Sequence, residues 1–145
     1  MHAREQIRGA IVTAVTGLTT TAGRVYESRF LPLGHAGLPA LCVYTRTDTV
    51  DYSRGTMTAR PLRVLEVHIE GHVGGSDQSV MDDIAEEVET AIFANATLLA
   101  LIKRRIWLGE QSMTVDGEGV ELVSRIDMVF VVEYSVAEGV PGTLV

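Results

Sequence analysis

The sequence predicts an α+β domain: a mostly antiparallel sheet of about five strands, with two helices packed on one face. The order is α-β-β-β-α-β-β, with an extended β-hairpin and a C-terminal tail. Three observations predict it. Leu65, Val67, Ile69 and Val73 alternate with Glu66, His68, Glu70 and His72, the pattern of a strand with one buried and one solvated face. Val80, Ile84, Val88, Ala91 and Ile92 then recur at helical spacing, with Asp82, Asp83, Glu86, Glu87 and Glu89 mostly off the stripe. Near the C-terminus, Ile126, Met128, Phe130, Val132, Tyr134 and Val136 share one face of a second long strand.

Taken in order, Ala3, Ile7, Ala10, Ile11, Ala14, Val15 and Leu18 mark a first helix over about residues 2–16. Gly17 can end it in the left-handed conformation. Arg24 to Phe30 reads as a short strand and 31–37 as a loop. Pro39 introduces a strand from Ala40 to about Val50, whose first part is apolar on both faces and whose later part alternates. Residues 52–58 form the tip of a long hairpin, and Tyr52, Arg54 and Met57 are its candidate contacts to a neighbouring subunit or tube. The strand at 65–73 follows. Gly74-Gly75 break it, and Ser76 or Asp77 caps the helix over 80–94, about 22 Å long at the usual helical rise. Leu98, Leu99, Leu101 and Ile102 form an apolar cluster. Lys103-Arg104-Arg105 read as cations favoured at a helix C-terminus rather than as a nucleic-acid patch. Another strand runs over about 106–115, Asp116-Gly117 signal a tight turn, and the final strand covers 122–136. Residues 137–145 read as an extended tail.

The totals bound the function. The 145 residues suit one domain, 46% hydrophobic residues suffice for a core, and the net charge of −7 argues against a protein that grips nucleic acid by its phosphates. The single cysteine, Cys42, excludes an intrachain disulfide and suits a reducing compartment. No secretory signal is read at the N-terminus and no apolar run is long enough to span a bilayer, so no membrane partner is expected.

Chemistry-bearing motifs are sparse. His68, Glu70 and His72 share one side of a strand with Glu66, and two histidines with a carboxylate can bind zinc or iron. Same-face neighbours on a strand lie about 7 Å apart, however, so chelation would require the side chains to bend together. A solvated outer face is the ordinary explanation. Ser28 and Ser79 lack triad partners. The glycines at 71, 74 and 75 do not make a dinucleotide fingerprint. The acidic helix face is read as solvated. No catalytic, cofactor-binding or metal residue is assigned, no cofactor is expected, and the chain is not read as an enzyme. With no site, surfaces remain: the sheet face away from the helices carries Val129 and Val131 and suits closure by a neighbouring subunit.

The ordered pattern resembles the tail terminator proteins of long-tailed, lambda-like bacteriophages. The resemblance spans nearly the whole chain. It is carried by the opening Met1–Arg8 helix, Gly23–Arg29, the Leu38–Tyr44 strand, the Arg63–Val73 strand, the acidic helix after Gly74-Gly75-Ser76-Asp77, and the last strand with Glu133-Tyr134. It implies a structural subunit of a hexameric ring that caps the tail tube, stops its polymerisation and offers a surface to the head-side connector. DNA would pass through the lumen without specific binding, and the protein would reside in the virion after assembly in the host cytoplasm. Another neck component, a head-completion or head–tail joining protein, fits the same pattern. A small binding module and a metal-dependent enzyme built on His68, Glu70 and His72 are the readings from other classes.

Overall fold

The computed structural model describes residues 1–29, 37–56, 60–116 and 122–145, and for 54–56 and 116 the backbone alone. Its elements are α1 (Ala3–Val15), β1 (Val25–Tyr26), β2 (Ala40–Thr56), β3 (Arg60–Gly74), α2 (Gln78–Ala94), α3 (Ala96–Ile102), β4 (Arg105–Asp116), β5 (Val123–Ala137) and β6 (Val140–Leu144). The α+β class and the mostly antiparallel sheet are as the sequence predicts. The strand order is β1-β2-β3-β5-β4, with β6 paired to the end of β5. Among the described residues only the two-residue β1 pairs in parallel, at Leu41 and Cys42 of β2.

One apolar core lies between the sheet and the helices. Ala3, Ile7, Ile11 and Val15 of α1 meet Met81, Ile84, Val88 and Ile92 of α2 and the inward residues of β2, β3 and β5. The face of β5 read from Ile126 to Val136 is buried throughout. Met81, absent from the predicted stripe, is buried, whereas Val80 and Ala91 are half-buried. Gly71 sets how closely α2 approaches. A Cβ there would stand 2.9 Å from Ile84 Cγ2 and 3.0 Å from Ile126 Cγ2. The glycine is thus a seat for the helix, one use of a glycine within a strand.

Helix ends follow local chemistry. Asp77, not Ser76, caps α2 by accepting from the Ser79 backbone N–H at 2.9 Å. After α1, Thr16 is the cap residue and Gly17 takes a φ of 88°.

Three expectations need correction. The strand expected over 24–30 is reduced to Val25–Tyr26; Phe30 lies outside the described residues. The order gains a third helix, because Asn95 ends α2 and its Oδ1 accepts from Leu98 N–H at 2.9 Å, starting α3 on a new axis. The basic run stands at a helix C-terminus, as expected: Lys103 adopts a left-handed φ of 63° and caps α3 with its backbone N–H, and its Nζ donates to Leu144 O at 3.0 Å. Arg105 begins β4, its guanidinium 4.8 Å from the Trp107 ring centroid. Finally, the segment read as an extended tail contains a strand, β6, paired with the end of β5. Val136 pairs with Leu144, and Gln6 Nε2 donates to Gly142 O at 2.7 Å.

Near the end of the helical layer β2 carries one extra residue. Thr45 pairs with Val67, but the next partners are Asp48 and Leu65. Simple alternation would place Asp48 on the outer face with Cys42 and Tyr44; the bulge turns it inward. There the buried Tyr134 hydroxyl donates to Asp48 Oδ2 at 2.6 Å, and Arg4 Nη1 stands 3.3 Å from the same oxygen. Burial first, then the Asp48 hydrogen bond and charge, push the Tyr134 phenol above its ordinary range.

Two substitutions test this packing. Ile84→Asp buries an unpaired carboxylate beneath α2 and should abolish cooperative folding, read as loss of the circular-dichroism melt. Gly71→Val should lower stability by roughly 1–3 kcal/mol through overpacking against Ile84 and Ile126. A urea midpoint equal to wild type would show that α2 is not seated there.

Candidate functional site

The sheet face away from the helices carries the most concentrated polar chemistry among the described residues. Antiparallel register builds it. Cys42, Glu70 and Asp127 form one row across β2, β3 and β5; Tyr44, His68 and Val129 form the next; Ala40, His72 and Arg125 form a third. Alternation in each strand sends these side chains to the same side, opposite the core.

The cluster is tightly bonded. Tyr44 Oη donates to Glu70 Oε1 at 2.8 Å, and His72 Nε2 lies 3.2 Å from Glu70 Oε2. His68 Nδ1 is 3.1 Å from both oxygens of Asp127. The Tyr44 and His68 rings stack with centroids 5.1 Å apart and planes 13° apart. Arg125 Nη1 stands 4.0 Å from Glu70 Oε1, at the outer limit of an ion pair. Two buried nitrogens have no partner: His68 Nε2 and Arg125 Nε.

This overturns the solvated-face expectation for two residues, since His68 is 3% exposed and Glu70 5%. Glu70 meets its two oxygens with Tyr44 across the strands and with His72 along its own strand, and His68 meets Nδ1 with Asp127 across the strands while its Nε2 stays without a partner. Burial works against ionisation of Glu70. Hydrogen bonds from His72 and Tyr44 and the nearby Arg125 charge outweigh it, and its carboxyl lies below the usual 4.5. Burial and then the Glu70 hydrogen bond and charge raise the Tyr44 phenol above its ordinary range. Burial, with the Glu70 charge, lifts the Cys42 thiol to about 11, so this free cysteine is a poor nucleophile.

His68, Glu70 and His72 do not converge on one point. His68 turns to Asp127 while His72 turns to Glu70. Among the described residues no group of three or more His, Cys, Asp or Glu side chains is arranged to hold a metal ion. An open pocket of about 610 Å³ lies over the cluster, lined by Arg29, Tyr44, Arg46, Glu70, His72, Arg125 and Asp127. Arg125 and Asp127 alternate with Ile126 and Met128 of the last strand's apolar face and so fall on its opposite face. Only the register, which sets them opposite His72 and Glu70, joins them to the histidines.

The hairpin residues are elsewhere. Tyr52 is 63% exposed in the outer part of β2. Arg54 belongs to the backbone of the same strand, its side chain outside the described residues, and Met57 lies wholly outside them. Among the described residues no helix is long and apolar enough to cross a membrane.

Glu70→Gln tests the buried carboxylate. Because the folded carboxyl is held below 4.5, its contribution is fully present above that value and is lost as pH falls through the folded value. The stability gap between wild type and Glu70→Gln should therefore be widest near neutrality and shrink below pH 4.5. Urea unfolding across pH checks this; a gap independent of pH would show that Glu70 gains nothing from its partners. Tyr44→Phe should cost about 1.5–3 kcal/mol at neutral pH, the range for hydrogen bonds to a charged group.

Comparison with protein-family models finds no match, and no curated protein matches the chain.

Proposed function

We propose that this chain is a structural virion protein, a tail terminator. It would form a ring that caps a bacteriophage tail tube, ends tube polymerisation and presents the joining surface to the head-side connector. The sequence pattern set out above supports this reading, and one structural observation carries it: the sheet has two long open edges.

β4 pairs with β5 alone, and β2 beyond Cys42 pairs with β3 alone, among the described residues. Long unpaired edges invite strand addition and are usually blunted. Here β4 runs for 12 residues, and Met113 and Val115 near its end are 51% and 53% exposed. The pairs β2–β3, β3–β5 and β5–β4 are all antiparallel, so β2 and β4 run in opposite directions. A rotated second copy that set its β2 beside β4 would extend the same antiparallel ladder. That contact is heterologous, and heterologous contacts that close produce rings.

On this reading the chain is not an enzyme and uses no cofactor. Its partners are copies of itself, six by the resemblance, together with the tail tube protein and the head-side connector. Tyr52, Arg54 and Met57 are the proposed contacts to a neighbour or tube. The net charge of −7 suits a lumen through which DNA slides without being held.

Light scattering over a concentration series, with and without tail tubes, tests the ring. Wild type should reach the mass of about six subunits, a closed heterologous ring. The double variant Met113→Lys/Val115→Lys should remain a folded monomer, because edge lysines oppose strand addition. A wild-type chain that stays monomeric even with tubes would overturn the proposal. A ring formed only with the connector would identify another neck component instead.

A further inference from the structure

We propose that the outer-face pocket is a binding site for an oxyanion, a carboxylate or phosphate group, held by the guanidiniums of Arg29, Arg46 and Arg125. The site lies within one chain, so it stands or falls independently of ring assembly.

The division of hydrogen bonds inside the pocket carries the inference. Its two carboxylates are already engaged with the floor. Glu70 accepts from Tyr44 at 2.8 Å and faces His72 at 3.2 Å, and both oxygens of Asp127 face His68 Nδ1. The three arginines are not engaged in the same way. Arg125 comes no closer than 4.0 Å to Glu70, and its Nε is buried without a partner. Arg29 lies with its guanidinium carbon 5.7 Å from the Tyr44 ring centroid. A guanidinium held by a ring in this way keeps its N–H donors for another group. Arg46 is exposed and has no ion-pair partner among the described residues.

Charge points the same way. Three guanidiniums against two carboxylates leave the pocket a positive surplus, in a chain of net charge −7. A local reversal of sign concentrated in a concave site attracts anions. Planar guanidinium forks match the paired oxygens of carboxylate and phosphate. The volume of about 610 Å³ falls within the range of small-ligand pockets and admits a group larger than one phosphate.

The test is an NMR titration of the full chain at low ionic strength with inorganic phosphate and, separately, citrate. The resonances followed are Arg125 Nε–H and the amides of residues 44, 70 and 125. The site predicts saturable shifts there with at least one anion; the tighter of the two distinguishes a phosphate from a carboxylate site. Arg29→Gln/Arg46→Gln removes two exposed arginines outside the core and should weaken binding by at least about tenfold. Arg60→Gln, an exposed arginine at the far end of β3, controls for overall charge and should retain wild-type affinity. Circular-dichroism melts establish that both variants fold. The proposal is overturned by the absence of saturable shifts with both anions, by wild-type affinity in the folded double variant, or by an equal loss in Arg60→Gln.

Discussion

The seating of α2 on the sheet is the contact on which the other features depend. Gly71 leaves room for the Ile84 and Ile126 methyl groups where any side chain would crowd them. With the helix that close, Met81, Ile84, Val88 and Ile92 are buried to 1% exposure or less. Burying one such aliphatic side chain contributes about 1.5–3 kcal/mol, so this row outweighs any single polar contact in the chain. α1 packs against both α2 and α3 and closes the layer. All three helices lie on one side, which leaves the opposite sheet face to polar chemistry.

That opposite face is organised by cross-strand hydrogen bonds. Tyr44, Glu70 and His72 form one connected group and His68 with Asp127 another, joined by the Tyr44–His68 stack. A buried carboxylate is stable only when its oxygens are satisfied, and Glu70 meets that condition with donors from two strands. The arginines around the rim remain less committed than the floor. This asymmetry between a satisfied floor and an open cationic rim separates the pocket from an ordinary surface salt-bridge network. The inward Asp48–Tyr134 pair shows the contrasting case, a carboxylate turned toward the helices by a bulge and held by a buried phenol.

The edges add a third property. Among the described residues, single-sided pairing of β4 and of most of β2 leaves backbone donors and acceptors along both sides of one sheet. Their opposite strand directions make the two edges complementary to each other. Pocket and edges belong to the same sheet and share β2, whose Tyr44 and Arg46 line the pocket.

Much of the fold was legible in the sequence because it is written in periodicity. The two-residue period of Leu65–Val73 and Ile126–Val136 and the three-to-four spacing of Ile84, Val88 and Ile92 are local consequences of backbone geometry. They determined the strands, the main helices and the buried faces. Tertiary structure alone decided the rest. The break at Asn95 depends on one side chain bonding Leu98 N–H, and the C-terminal strand depends on carbonyls accepting from Gln6 and Lys103, far away in the chain. Likewise, His68 and Glu70 read as solvated because alternation names a face without saying what lies beside it. Their burial was decided by register, which brings Tyr44 and Asp127 from two other strands into hydrogen-bonding distance. Periodicity is a property of neighbours in sequence; register is a property of neighbours in space, and the candidate site is built from the second.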